Sequence, residues 1–295
     1  MQKHAYMIIA HNQFELLEIL IKMLDDERND IFIHIDTKVQ NFDFEHFKSI
    51  TKNSKVEFTD KRYSIKWASF DMVRAEYALL EKALENNNNY DYVHLISGVD
   101  LPIKSQDEIH SFFDKNTGKE FVHFTSEKLN DTELDRVRAY HFAMGRRNYL
   151  NRLITKLESK SARLFRINRI KYLGVQKGSQ WFSITDDFAK YILSQKNFVF
   201  KQFNHTFIPD EFFVQTLLIN SKFKKNLFMP NCNNDHYACA RLIDWDRGNP
   251  YVFRIEDFDE IISSKAMFAR KFSFNEDKEI ICKIRDYVGE NNGQS

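Results

Sequence analysis

The chain has 295 residues, 43% of them hydrophobic and 15% aromatic, with 43 Lys and Arg against 42 Asp and Glu. That composition supports a large buried core and excludes a disordered chain, while a net charge of +1 excludes a globally basic nucleic-acid binder, so electrostatic partners must be sought in local charge runs. Cys232, Cys239 and Cys282 are too few and wrongly spaced for a disulfide framework or a Cys-x-x-Cys metal site, and no segment has the length and apolarity of a signal core or a membrane span, so a cytoplasmic or peripheral protein is expected.

Residues 4–10 are a continuous apolar run that predicts a buried strand; 13–24 carry apolar residues at helical spacing, and 31–36 read as a second strand. Strand, helix and strand at this spacing form a βαβ unit, whose parallel pairing puts a ligand crevice at the carboxyl ends of the strands. Those ends carry Ala10, His11 and Asp36, residue types that also serve as turn or cap residues. Residues 56–58 predict a third strand, 69–84 a helix, 86–89 a polar turn and 92–96 a fourth strand. Gly98 and Pro102 mark a sharp turn that holds Asp100 at the same edge as Asp36, and 121–124 continue the sheet.

Residues 145–177 differ in kind. Arg146, Arg147, Arg152, Lys156, Lys160, Arg163, Arg166, Arg169, Lys171 and Lys177 stand against one acid, Glu158, with Leu150, Leu153, Ile154, Leu157, Leu164, Phe165 and Ile167 interleaved. Two readings stay open for this basic amphipathic segment: a solvated flap over an acceptor site, or a helix lying on a membrane surface. Beyond it, 178–184 read as a turn into a strand, 186–193 as a helix, 226–229 as a short strand, 241–272 as an irregular closing region and 276–288 as a terminal helix.

Within residues 205–218, Pro209-Asp210-Glu211-Phe212-Phe213 reads as a helix start, because proline gives up no needed amide there and acids suit a first turn. Aromatic neighbours would desolvate Glu211 and raise its pKa towards that of a general base; the alternative is that Asp210 and Glu211 only complement the helix dipole.

Five stretches carry a resemblance: Trp67-Ala68-Ser69, Ser97-Gly98-Val99-Asp100-Leu101-Pro102-Ile103-Lys104, Gly178-Ser179-Gln180-Trp181-Phe182, Pro209-Asp210-Glu211-Phe212 and Phe268-Ala269-Arg270-Lys271-Phe272. In order and spacing the chain resembles the core-2/I-branching β-1,6-N-acetylglucosaminyltransferase family, glycosyltransferase family 14. The resemblance implies a GT-A type α/β fold spanning 1–295, with a nucleotide-binding half over about 1–125 and an acceptor-binding and catalytic half over about 126–295. It also implies a UDP-sugar donor, a glycan or lipid-linked glycan acceptor, and an inverting transfer without a metal or other cofactor. Glu211 then matches the base and Arg241 with Lys271 the pair holding the donor diphosphate. Ala10, His11, Asp36, Trp67, Asp100 and Ser179 fall to the donor pocket, and Asp210 and Trp181 to the acceptor. By its residue type alone Trp181 also suits the core, and Arg241 and Lys271 also suit a surface.

An acceptor hydroxyl attacking an anomeric carbon needs a carboxylate for its proton and positive charge for departing UDP. Where other GT-A enzymes hold a metal with Asp-x-Asp, this chain reads Ser97-Gly98-Val99-Asp100, and an Arg and a Lys can supply the charge instead. The literal pairs Asp244-Trp245-Asp246 and Asp257-Phe258-Asp259 lie late in the chain, among expected loops. The secreted animal members of that family are disulfide-rich and membrane-anchored, so a bacterial cytoplasmic relative, peripheral to the inner face of the plasma membrane, is expected. Two rivals remain: a metal-dependent GT-A enzyme of another family, and a membrane- or nucleic-acid-binding protein using 145–177. The second lacks a recognisable nucleic-acid module.

Overall fold

The first apolar run is β1 (His4–Ala10), buried at all seven residues, which explains why its hydrophobicity does not alternate. The structure, a computed structural model, describes residues 3–291 except 86, 87, 143, 146, 147, 171, 172 and 232. The expected turn residues Asn86 and Asn87, the basic residues Arg146, Arg147 and Lys171, and Cys232 therefore lie outside the described residues.

After β1, α1 (Phe14–Met23) turns Leu16, Leu17, Leu20 and Ile21 inward and returns the chain to β2 (Asn29–Ile35), parallel to β1 with Ala10 opposite Ile35. Next come α2 (Phe44–Ser49), β3 (Lys55–Phe58), α3 (Asp71–Ala83) and β4 (Tyr92–Ser97). β3 pairs with β2 and β4 with the free side of β1, all parallel, so the winding direction reverses between β1 and β4. In open α/β sheets ligands bind at that reversal, outside the carboxyl ends of the strands. There Gly98 lies so close to β1 that a β-carbon on it would stand 2.9 Å from the Ala10 methyl.

β5 (Leu101–Pro102), α4 (Gln106–Lys115), β6 (Phe121–Val122), α5 (Asp131–Arg138) and α6 (Tyr149–Leu164) follow. β7 (Phe182–Thr185) then inserts antiparallel between β4 and β6, giving a mixed sheet of order β3-β2-β1-β4-β7-β6 drawn from both halves of the chain. α7 (Asp186–Ser194), α8 (Lys196–Phe203) and α9 (Phe213–Ile219) cover one face together with α3. β8 (Arg241–Ile243), α10 (Phe258–Ser263), β9 (Phe268–Arg270) and α11 (Lys278–Asn291) close the chain, and α10 and α11 join α1 on the other face.

Two expectations are corrected. The closing region is not irregular: β8, β9 and β5 make a second, three-stranded sheet that brings residues 268–270 back to the turn holding Asp100. Residues 226–229 are not a strand, because the short 3-10 helix Lys222–Asn226 occupies the approach and leaves only a bridge between Leu227 and Glu120. No helix among the described residues is long and apolar enough to cross a membrane.

Candidate active site

Glu211 closes a one-turn 3-10 helix, Pro209–Glu211, that leads into α9, so the expected helix start is present in a tighter form. Phe212 and Phe213 are fully buried and anchor it. Ile208, just before, sits at φ 56°, a left-handed conformation that a β-branched residue adopts only when its surroundings impose it. Its N–H donates to the Ala68 carbonyl at 3.1 Å, and Ala68 is itself at φ 60°, so the Trp67-Ala68-Ser69 and Pro209-Asp210-Glu211 stretches meet in space.

Gly178 supplies the other side. Its N–H donates to the Glu211 carbonyl at 2.9 Å, and a β-carbon there would lie 1.7 Å from the His123 carbonyl oxygen, so only glycine fits. Ser179 follows, with its N–H on His123 Nδ1 at 3.0 Å and its carbonyl accepting from Gln215 Nε2 at 2.7 Å.

The Glu211 side chain is 32% exposed, and its Oε2 lies 3.5 Å from Arg136 Nη1 and 3.6 Å from Lys177 Nζ. Burial raises its pKa above the ordinary glutamate value, while Lys177 and Arg136 pull it back. Asp210, next in the same turn, is pushed up to about 7 by burial and by the charge of Glu211. Behind both lies Glu76 of α3, wholly buried and raised well above the usual carboxylate range by burial first and by Asp210 second. Gln180 Nε2 donates to its Oε1 at 2.9 Å.

The second cluster lies at the end of β4. Asp100 accepts from the Ser97 N–H at 2.9 Å and the Ser97 hydroxyl at 2.6 Å, with Arg270 Nε 3.5 Å away. The Arg270 guanidinium lies over the ring of Trp181, 4.2 Å from its centre. Trp181 is buried in the core, and its N–H donates to the Ser179 hydroxyl at 3.3 Å, linking the two clusters. Lys271, next to Arg270, has an ammonium with no hydrogen bond or ion pair to any described residue.

Arg241 departs from the role the resemblance implies. It is 2% exposed, and its guanidinium donates to the Ser183 hydroxyl and to the carbonyls of Cys239, Leu95 and Phe182. Four protein acceptors thus occupy Nη1 and Nη2, leaving Nε buried with no partner among the described residues, and Arg241 underpins the junction of β4 and β7. At the first two strands, Ala10 is buried, His11 is exposed, and Asp36 is buried with its carboxylate accepting from the N–H groups of Lys38 and Ile65 at 2.8 and 3.0 Å. Asp36 therefore pins the segment that leads to Trp67, which is 36% exposed and packs edge-to-face on Phe207 with ring centres 5.4 Å apart.

The first aspartate of each Asp-x-Asp pair is bound internally: Arg247 bridges Asp244 and Asp257, and Asp257 Oδ2 also accepts from the Arg254 N–H at 2.8 Å. Sequence reasoning passed over four residues of the site, Glu76, Arg136, Lys177 and Arg270. Glu76 carried a signal, since it lies one turn from Val73 and Leu80 on the apolar stripe of α3, where a carboxylate is costly.

A half-buried carboxyl pair with one member turned towards cations, in a mixed α/β fold, is an arrangement suited to moving a proton. A family profile described as "Core-2/I-Branching enzyme" matches residues 4–262, and the chain belongs to that family of glycosyltransferases, whose expected GT-A type architecture agrees with the mixed sheet flanked by helices. The chain is 25% identical over 300 residues to xylosyltransferase 2 of Rattus norvegicus, covering 96% of this chain and 33% of the relative. It is 26% identical over 273 residues to xylosyltransferase sqv-6 of Caenorhabditis briggsae, covering 85% of this chain and 32% of the relative. The chain thus spans about a third of the length of these curated relatives. Among solved structures, apo mouse xyloside xylosyltransferase 1 aligns over 91% of this chain and 97% of its own, with 11% identity and a TM-score of 0.38.

Proposed function

We propose that the protein is an inverting, metal-independent glycosyltransferase that moves a sugar from a UDP-sugar to a glycan hydroxyl, with Glu211 as general base. The acceptor oxygen attacks the anomeric carbon and forms the new C–O bond from the side opposite UDP. As the bond from that carbon to the diphosphate oxygen breaks, the hydroxyl proton passes to the Glu211 carboxylate. The supporting observation is the Glu211 carboxylate itself, partly desolvated yet kept ionisable by Arg136 and Lys177 at 3.5 and 3.6 Å.

Lys271, whose ammonium has no competing partner among the described residues, and Arg270 beside it are the cations proposed to meet the diphosphate, and Arg241 contributes charge from the layer beneath. His11 and Asp36 fall to the nucleotide side and Asp100 and Ser179 to the donor sugar; Trp67, which the resemblance assigns to the donor pocket, is proposed instead for the acceptor side because it lines the α5–α6 cavity with Phe207. N-Acetylglucosamine or another hexose is the proposed sugar, with xylose added by the names of the relatives. The setting proposed is bacterial surface-polysaccharide synthesis in the cytoplasm, at the inner face of the plasma membrane. The experiment is a panel of UDP-sugars, each assayed for UDP release with EDTA and with manganese. Turnover that survives EDTA is expected, and activity that EDTA abolishes and manganese restores would overturn the metal-independent mechanism.

A further inference from the structure

Between α5, α6, Trp67 and Phe207 lies a cavity of about 560 Å³, and Arg136, which lines it, is one of the two cations that reach the Glu211 carboxylate. Its wall carries five cations, Arg136, Arg152, Lys156, Lys160 and Arg163, against one carboxylate, Asp135. Asp135 is already taken by Arg163, whose Nε lies 2.7 Å from it. The side chains of Arg152, Lys156 and Lys160 have no ion pair or hydrogen bond to any described residue. They stand four residues apart on one helix, where like charges repel, so the row is at its most stable with an anion across it.

The same helix presents a second chemistry. At about 100° per residue, and counting from Asn151, the cavity-lining Thr155, Ser159, Arg152 and Arg163 fall at about 40–120° and Lys156 and Lys160 at about 140° and 180°. Leu153, Leu164 and Leu157 follow at about 200–240°. These leucines are 42%, 77% and 55% exposed. Aromatic wall, cationic row and apolar strip are therefore contiguous, in that order.

We infer that this cavity is the acceptor site and that the acceptor is a sugar joined through phosphate to a lipid chain. The sugar packs on Trp67 and Phe207, the phosphate lies on Arg152, Lys156 and Lys160, and the chain runs along Leu153, Leu157 and Leu164. This rests on the transfer reading above and specifies its acceptor.

The test uses the full chain and three probes: polyprenyl-diphosphate-linked N-acetylglucosamine in neutral detergent micelles, the octyl glycoside of the same sugar, and inorganic pyrophosphate. Wild type should bind the first about tenfold or more tightly than the second, and K156Q/K160Q should lose about tenfold on the first and less than about twofold on the second. L153Q/L157Q should weaken the lipid-linked probe alone. Binding of the lipid-linked sugar by K156Q/K160Q within about twofold of wild type would overturn the inference. So would pyrophosphate, or an acidic peptide, displacing that sugar at equal concentration. UDP titrated into the wild-type protein separates the two readings: failure of UDP to bind overturns the donor assignment, whereas wild type that binds UDP but not the lipid-linked probe overturns the acceptor alone.

Discussion

Replacing Glu211 by Gln keeps the shape of the side chain and removes its ability to take a proton. A positioned general base is worth about two to four orders of magnitude, or about 3–5 kcal/mol in the barrier, and that is the loss expected in kcat. The fold should survive. The ion pairs at 3.5 and 3.6 Å are loose and partly exposed, worth about 0–1 kcal/mol each, and Lys177 keeps Glu133 at 3.5 Å while Arg136 keeps the ring of Phe207. UDP affinity should stay near wild type, because the base serves the acceptor. Burial raises the Glu211 pKa, so the wild-type rate should climb with pH through a limb displaced above the ordinary glutamate range, and Glu211→Gln should abolish that limb. Lys177→Gln, by removing the larger of the two cationic influences, should move the limb to higher pH. Steady-state UDP release across pH, with UDP titration calorimetry on the same samples, measures all of this. A Glu211→Gln enzyme within about tenfold of wild type, or one with the acid limb in place, would refute the assignment.

Gly178→Ala forces a β-carbon towards the His123 carbonyl, a backbone group that cannot swing aside, and should cost about 3 kcal/mol or more, seen by calorimetry as a fall in Tm of about 5–10 °C. Asp210 titrates at about 7 when folded against about 3.8 when unfolded, so its contribution to stability is whole below about pH 4 and is lost as pH rises through 7; Asp210→Asn should therefore gain on wild type in Tm between pH 4 and 8. A gap that stays constant over that range would contradict the burial of this carboxyl. Lys271→Ala should weaken UDP by about tenfold or more and leave uridine almost unchanged, since uridine has no diphosphate to lose; equal losses for both would remove Lys271 from the phosphate site.

The long elements were legible because burial on one or both sides writes itself into consecutive residues, as in β1 and β4. β5, β8 and β9 have two or three residues each, too few for any period to show, so the second sheet and the placing of Arg270 beside Asp100 were hidden. α4 and α5 were legible but passed over: Ser105 with Glu108 and Asn130 with Glu133 are capping boxes, and both form. The surroundings of Arg241 could not be read, because its acceptors come from Leu95, Phe182 and Ser183, as many as 146 residues away, and a buried arginine looks like a surface one in sequence. Lys177 and Arg136 belong to the same class, since each becomes part of the site only through a fold that brings it to Glu211.

The adjacency of Asp210 and Glu211 has its own logic. Two carboxylates in one short turn would each raise the other's pKa, and a base that stays protonated cannot accept a proton. The turn resolves this by sending the two side chains into different surroundings. Asp210, near the buried Glu76, is held up to about 7 by burial and by the charge of Glu211, whereas Glu211 is partly open and faces two cations. Below that pH the neighbour of Glu211 is neutral, so the charge that raises Asp210 is not returned in kind. Burial raises Glu76 well above the usual carboxylate range, which favours its neutral form beneath the turn. A single ionised carboxylate is thus left beside Arg136, the residue through which Glu211 meets the wall of the cavity.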